Sequence, residues 1–239
     1  MSLPIVAVSV ELLDSPYYDG VKRCQLFHAY LDCLRSVGLA PILLPPDAQG
    51  ADLDAILAVV DGILLSGGDD LNLSLDGGPA PLAECKPVPA VQQQALMRTI
   101  AYAREKNLPL LGICLGMQAM AISQGAELIQ HMPNHQQHTA GTEHSILVSR
   151  DGNLKTALGG GAHKILSYHH QALSTVAAPL QIVAAADDGT IEAVEDPNLN
   201  YYVGVQWHPE KTPNSTSSRA LFEGFAEAVR QQRNKIADK

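Results

Sequence analysis

The sequence predicts an α/β fold: a mostly parallel central sheet with helices on both faces and a small antiparallel extension. Three observations carry this. β-rich and helical segments alternate through the first half, as βαβ units require. Short continuous apolar runs such as Gly62–Leu65 have the character of strands buried on both faces. The second half then changes to short strands separated by turn residues. At 239 residues, the whole stretch 1–239 is expected to form one such domain.

Ile5–Val10 opens the chain as a strand. Val21–Val37 is predicted helical, with Leu26, Ala29, Tyr30, Leu34 and Val37 at helical spacing and Gly38 as its stop. Pro41–Leu44 reads as a strand, Asp52–Val60 as a helix, and Gly62–Leu65 as a strand running into Ser66-Gly67-Gly68-Asp69-Asp70. Dense Gly and Pro make Leu71–Pro89 a long surface loop. Val91–Glu105 is helical, Leu108–Ile113 a strand, and Leu115–Gln124 a helix that follows almost without a gap. Glu127–Ile129 is a further short strand, and His131–His144 a polar irregular stretch. Ser145–Val148, Lys164–Ser167, Gln181–Ala186, Ile191–Glu195 and Tyr201–Gln206 are short strands. Ser217–Gln232 closes the pattern as an amphipathic helix.

A net charge of −9 argues against nucleic acid or an anionic membrane as the main partner, because both need clustered Lys and Arg. No apolar run approaches the ~20 residues that span a bilayer, and the first residues lack the pattern of a secretory signal. Four cysteines without CxxC spacing suit a reducing cytoplasm, the expected location. Cys24 and Cys33 are expected to be small packing residues of the 21–37 helix.

Gly112-Ile113-Cys114-Leu115-Gly116 places a cysteine between two glycines, at the junction of a buried strand and a helix. This is the Gly-x-Cys-x-Gly form of a nucleophile elbow. The glycines remove side chains that would clash in a tight turn. The helix directs its N-terminal N–H groups and positive dipole end at the sulfur, a setting that suits an anion. The Leu115 N–H is placed to donate to a developing oxyanion.

A thiolate nucleophile needs a proton donor for the leaving amine. Among nine histidines, His208 ends the apolar strand Tyr202-Val203-Gly204-Val205-Gln206-Trp207-His208-Pro209-Glu210, at the sheet edge where Cys114 should also lie. Residues two apart in extended chain point the same way, so Glu210 can sit beside His208 and set its tautomer. The loop after Gly62–Leu65 leaves a strand at the same edge, which makes the Gly68 N–H the second candidate oxyanion donor.

The pair Gly-Ile-Cys-Leu-Gly-Met-Gln at 112–118 and Gly-Val-Gln-Trp-His-Pro-Glu at 204–210 resembles the class I glutamine amidotransferases. Ser66-Gly67-Gly68-Asp69-Asp70, Ser167-Tyr168-His169-His170-Gln171 and the segment ending Ile191-Glu192-Ala193-Val194-Glu195-Asp196 are similar to the γ-glutamyl-γ-aminobutyrate hydrolase branch, peptidase family C26. This resemblance implies a flavodoxin-like sheet, a Cys114–His208–Glu210 triad and a γ-glutamyl thioester. It also implies a glutamyl pocket bordered by Gln118, Tyr168, His169 and His170. The chain departs from the branch at Leu115, where its hydrolases carry Arg, and through Cys85–Gln94, so the leaving amine stays open.

The histidines His131, His135, His138 and His144 match no strong zinc signature, and cysteine or carboxylate partners are missing, so a solvated loop is expected and no metal or other cofactor. Gly159-Gly160-Gly161 lacks the Lys-Ser/Thr of a phosphate cradle. The expected partner is a small γ-glutamyl substrate; a homodimer is left open. No synthase domain is recognised within the 239 residues, which favours a free-standing hydrolase. The alternative is a glutaminase subunit that delivers ammonia to a separate synthetase partner. A non-catalytic binding relative is disfavoured by the complete triad.

Overall fold

Strand residues of alternating parity face opposite sides of a sheet, and here the two sets enter two separate cores. Val6, Val8, Leu64, Leu111, Ile113, Val203 and Val205 join one; Ala7, Ile63, Leu65, Leu110 and Tyr202 join the other. Both faces are therefore covered, as the continuous apolar runs require. The computed structural model describes residues 2–237.

In chain order, β1 (Ile5–Ser9) is followed by β2 (Glu11–Asp14) and β3 (Lys22–Gln25). Next come α1 (His28–Ser36), β4 (Ala40–Leu44), α2 (Gly50–Leu57) and β5 (Gly62–Leu65). The centre is α3 (Ala90–Lys106), β6 (Leu110–Ile113) and α4 (Leu115–Ile122). Then follow β7 (Glu127–Ile129), β8 (Thr142–Val148), α5 (Asn153–Leu158), β9 (Gly161–Ser167) and β10 (Ala172–Thr175). The last elements are β11 (Gln181–Ala186), β12 (Ile191–Glu195), β13 (Tyr202–Val205) and α6 (Thr216–Ala237).

The main sheet has nine strands in the order β4-β1-β5-β6-β13-β12-β11-β8-β9. From β4 to β13 the pairs are parallel; from β13 to β9 they are antiparallel. Leu65, Ile113 and Val205 end β5, β6 and β13 at the same edge, so the loops that follow them converge. Helices α1 and α6 cover one face, where Tyr30, Leu34, Phe222, Phe225 and Val229 are buried. Burial of each aromatic ring there contributes about 2–3 kcal/mol. Helices α2, α3 and α4 cover the other.

The structure corrects the predicted helix over Val21–Val37. Lys22–Gln25 is strand β3, paired antiparallel with β2 from Glu11↔Gln25 to Asp14↔Lys22. The helical spacing began only at Leu26, and nothing before it had an apolar face to bury. Cys24 is consequently exposed on this hairpin and is no packing residue, whereas Cys33 is buried in the α1 core. Helix α5 and strand β10 were not expected. Strands β8 and β9 each begin about three residues earlier than their apolar residues indicated, because they pair with each other along their full length.

Candidate active site

Cys114 stands between β6 and α4 with φ 51° and ψ −106°, a left-handed conformation that a non-glycine residue adopts only under constraint. The constraint comes from both sides. A Cβ at Gly112 would overlap Met120 Sδ and lie 2.8 Å from the Gly116 carbonyl carbon. A Cβ at Gly116 would lie 2.5 Å from the Leu65 carbonyl oxygen. The glycines thus let α4 seat directly against β5 and β6. Gly116→Ala pushes against backbone that has nowhere to go, and is expected to cost about 3 kcal/mol, read as a lowered urea midpoint with unchanged slope.

His208 follows β13, and its Nδ1 donates to Glu210 Oε1 at 2.7 Å, with both residues buried. That bond turns the other ring nitrogen toward Cys114. Burial opposes a charged imidazole, but the neighbouring Cys114 sulfur and the Glu210 carboxylate outweigh it and push His208 up to about 10. Tyr30 lies against the same group: its hydroxyl accepts from the Gly67 N–H at 2.9 Å. Burial and the nearby Glu210 carboxylate raise its phenol well above the ordinary value.

Two residues that sequence reading passed over touch the centre. Gln206 Nε2 donates to Cys114 Sγ at 3.5 Å and its Oε1 accepts from Gln118 Nε2 at 3.2 Å. Tyr30 is the other. The signal for Gln206 was present, since positions 206, 208 and 210 share the alternation that paired His208 with Glu210. Tyr30 carried none beyond its place in a helical stripe.

The Leu115 N–H is the first of α4 and has no acceptor within the helix. In the loop after β5, Gly67 N–H is taken by Tyr30 and Asp69 N–H by Glu11 Oε1 at 3.3 Å. Gly68 N–H between them makes no hydrogen bond among the described residues. Gly68 also packs closely on Leu115, whose Cδ2 would lie 3.0 Å from a Cβ added there. The Leu115 side chain itself is buried beside Gln92 and Leu96, away from the substrate-sized space.

A cavity of about 370 Å³ opens over Cys114 and is lined by Gly68, Gln118, Tyr168, His169 and His170, with Glu84 and Lys86 from the long loop. His170 Nε2 pairs with Asp70 Oδ1 at 3.0 Å and its Nδ1 meets His131 Nδ1 at 3.0 Å. His169 borders the cavity with both ring nitrogens turned into the protein, Nδ1 donating to the Gln171 carbonyl at 3.0 Å. A second space of about 320 Å³ shares Gly68, Asp69 and Tyr168 with the first and reaches His208. Its walls include Glu11, Leu13 and Gln25 of the β2–β3 hairpin and Lys211, whose Nζ lies 4.3 Å over the Tyr168 ring. The Tyr168 ring meets His208 edge to face at 5.7 Å. The two spaces form one cleft with Cys114 on one side and His208 on the other.

The expectation of a solvated histidine loop is corrected. His138 is only 1% exposed, and His138, His144, His169 and Glu192 each offer a ligand atom within 4.8 Å of the others. The carboxylate of the cluster is not the neighbouring Glu143, which pairs with Lys164, but Glu192 of β12, more than fifty positions along the chain from His138. Among the described residues no helix is long and apolar enough to cross a membrane.

Residues 4–210 match the family model of peptidase C26. The chain is 30% identical over 229 residues to the gamma-glutamyl-gamma-aminobutyrate hydrolase of Escherichia coli O157:H7, covering 88% of this chain and 87% of that one. It is 32% identical over 212 residues to a Mycobacterium tuberculosis protein described as a glutamine amidotransferase, covering 84% of this chain and 66% of that relative. A Thermoplasma acidophilum protein described as part of a GMP synthase superposes over the full length of both chains with a TM-score of 0.71 at 19% identity, which bears on the fold. The expected flavodoxin-like sheet with its antiparallel extension is the one observed. The chain belongs to the peptidase C26 family of glutamine amidotransferase-like enzymes.

Proposed function

We propose that the protein hydrolyses the γ-glutamyl amide bond of a small γ-glutamyl compound through a thioester on Cys114. The observation that carries this reading is the convergence of Cys114, at the N-terminus of α4, with a buried His208 that Glu210 orients and whose proton the Cys114 sulfur and the Glu210 carboxylate both favour. Cys114 Sγ attacks the γ-carbonyl carbon, and the oxygen takes the charge against the Leu115 and Gly68 N–H groups. The C–N bond breaks as His208 gives its proton to the departing amine. Water then adds to the thioester carbonyl and His208 takes its proton, which releases glutamate and restores the sulfur. Gln118 and the Tyr168–His170 segment hold the glutamyl head.

The leaving amine belongs in the space beside His208, because the proton it needs comes from there. That space is walled by Glu11, Asp69 and Lys211. The departure from the hydrolase pattern at Leu115 acts in the core, while the one through 85–94 reaches the cavity at Lys86. The test is a panel of γ-glutamyl amides with neutral, anionic and cationic leaving groups, plus glutamine, assayed with the pure chain. Release of amine and glutamate, with a γ-glutamyl adduct on Cys114 by mass spectrometry, is the expected result. Inertness toward the whole panel, with ammonia release from glutamine only when a synthetase is added, would replace this reading with the glutaminase-subunit one.

A further inference from the structure

The described residues hold a second cluster outside the catalytic centre, and it has the chemistry of a metal site. Glu192 is fully buried and neither of its carboxylate oxygens makes a hydrogen bond among the described residues. His138 Nδ1 and His169 Nε2 are likewise buried without partners. All of these atoms face one another. His138 Nδ1 lies 3.4 Å from Glu192 Oε1, while His144 Nε2 and His169 Nε2 each lie 3.5 Å from it. These spacings are too long for hydrogen bonds of normal strength, and they match the edge of a zinc tetrahedron, about 3.4 Å for bonds near 2.05 Å. An unpaired buried carboxylate is costly, and a proton shared between His138 and Glu192 would leave His169 Nε2 unsatisfied. A cation at the centre reaches all four groups, and would take His144 Nε2 from the Ser167 hydroxyl that it meets at 2.8 Å.

We propose that His138 Nδ1, His144 Nε2, His169 Nε2 and the Glu192 carboxylate bind a divalent transition-metal ion, with Zn(II) the best match to their number, type and spacing. The far sides of the imidazoles are oriented as such sites require. His138 Nε2 donates to Asp188 Oδ2 at 2.8 Å, His169 Nδ1 to the Gln171 carbonyl at 3.0 Å, and His144 Nδ1 faces the Ser145 carbonyl at 3.3 Å. Charge closes as well: two positive charges meet Glu192 directly and Asp188 through His138. A cleft of about 170 Å³ lined by His138, His144 and Asp188 connects the cluster to solvent. Four protein ligands leave no open position, so the ion is structural. It ties β8 and β12 to the Tyr168–Gln171 segment, which walls the catalytic cavity.

The test uses the full chain freed of any affinity tag, stripped with a strong chelator and titrated with Zn(II) and with Co(II). One equivalent of either is expected, with the visible bands of tetrahedral cobalt and a rise in melting temperature. Asp188→Asn should weaken uptake about 10- to 100-fold, and His144→Ala should abolish the cobalt bands. Cys114→Ser should bind the metal as wild type does, which separates this site from the catalytic sulfur. A folded wild-type chain that takes up no stoichiometric cobalt would overturn the proposal. So would undiminished tetrahedral bands in His144→Ala, or their loss in Cys114→Ser.

Discussion

Cys114→Ser is expected to lower γ-glutamyl amide turnover by about 10⁴- to 10⁶-fold, or roughly 5–8 kcal/mol of barrier, with little change in the unfolding midpoint. The side chain is buried and contributes one sulfur to the core, so its oxygen replacement fits the same space. What is lost is chemistry: a serine hydroxyl is far harder to ionise than a thiol and is a much weaker nucleophile when neutral. The other thiols offer no substitute. Cys24 is exposed on the β2–β3 hairpin, and burial, with Glu210 and Asp32 nearby, pushes the Cys33 thiol up to about 11. Single-turnover assays with intact-mass readout check this. Wild-type rates in the serine variant, or an acyl adduct on Cys24, Cys33 or Cys85, would move the nucleophile elsewhere.

Much of this site was legible in the sequence because its parts sit at strand ends. Apolar runs announced β5, β6 and β13, and a parallel sheet brings their carboxyl ends to one edge. Cys114, His208 and Gly68 could therefore be placed together without knowing a single contact. Alternation added Glu210. What stayed hidden depends on partners distant in sequence. The β2–β3 hairpin exists through its own cross-strand bonds and through Gln92, whose side chain accepts from the Leu12 N–H at 2.8 Å; its residues carry no strong apolar pattern. That hairpin walls half of the cleft. The histidine cluster was misread for the same reason. Its carboxylate is on β12, and only the antiparallel order β12-β11-β8 carries Glu192 to His144. Leu115 is the reverse case, for a residue beside the nucleophile in sequence turns its side chain into the core.

Glu210→Gln is expected to leave KM nearly unchanged, to lower kcat about 10²- to 10⁴-fold at neutral pH, and to shift the alkaline limb of the kcat profile toward lower pH. Glu210 is 1% exposed and lines neither cavity space, so it does not contact substrate. Its effect must pass through the imidazole. In the native enzyme His208 lies up at about 10, so the proton required by the leaving amine is retained through neutral pH and lost only as the pH rises through that value. Burial opposes the charge, and the Cys114 sulfur and Glu210 carboxylate oppose burial. With the carboxylate gone, burial counts for more and the proton leaves sooner. The amide also presents either an oxygen or an NH2 group across the 2.7 Å contact, so it no longer selects which nitrogen faces the sulfur. A tautomer fault alone would reduce kcat at every pH and leave the limb where it was. A limb that moves with the mutation identifies the carboxylate as a partner of the Cys114 sulfur in holding the proton on His208, and an unmoved limb would assign the alkaline loss to another group.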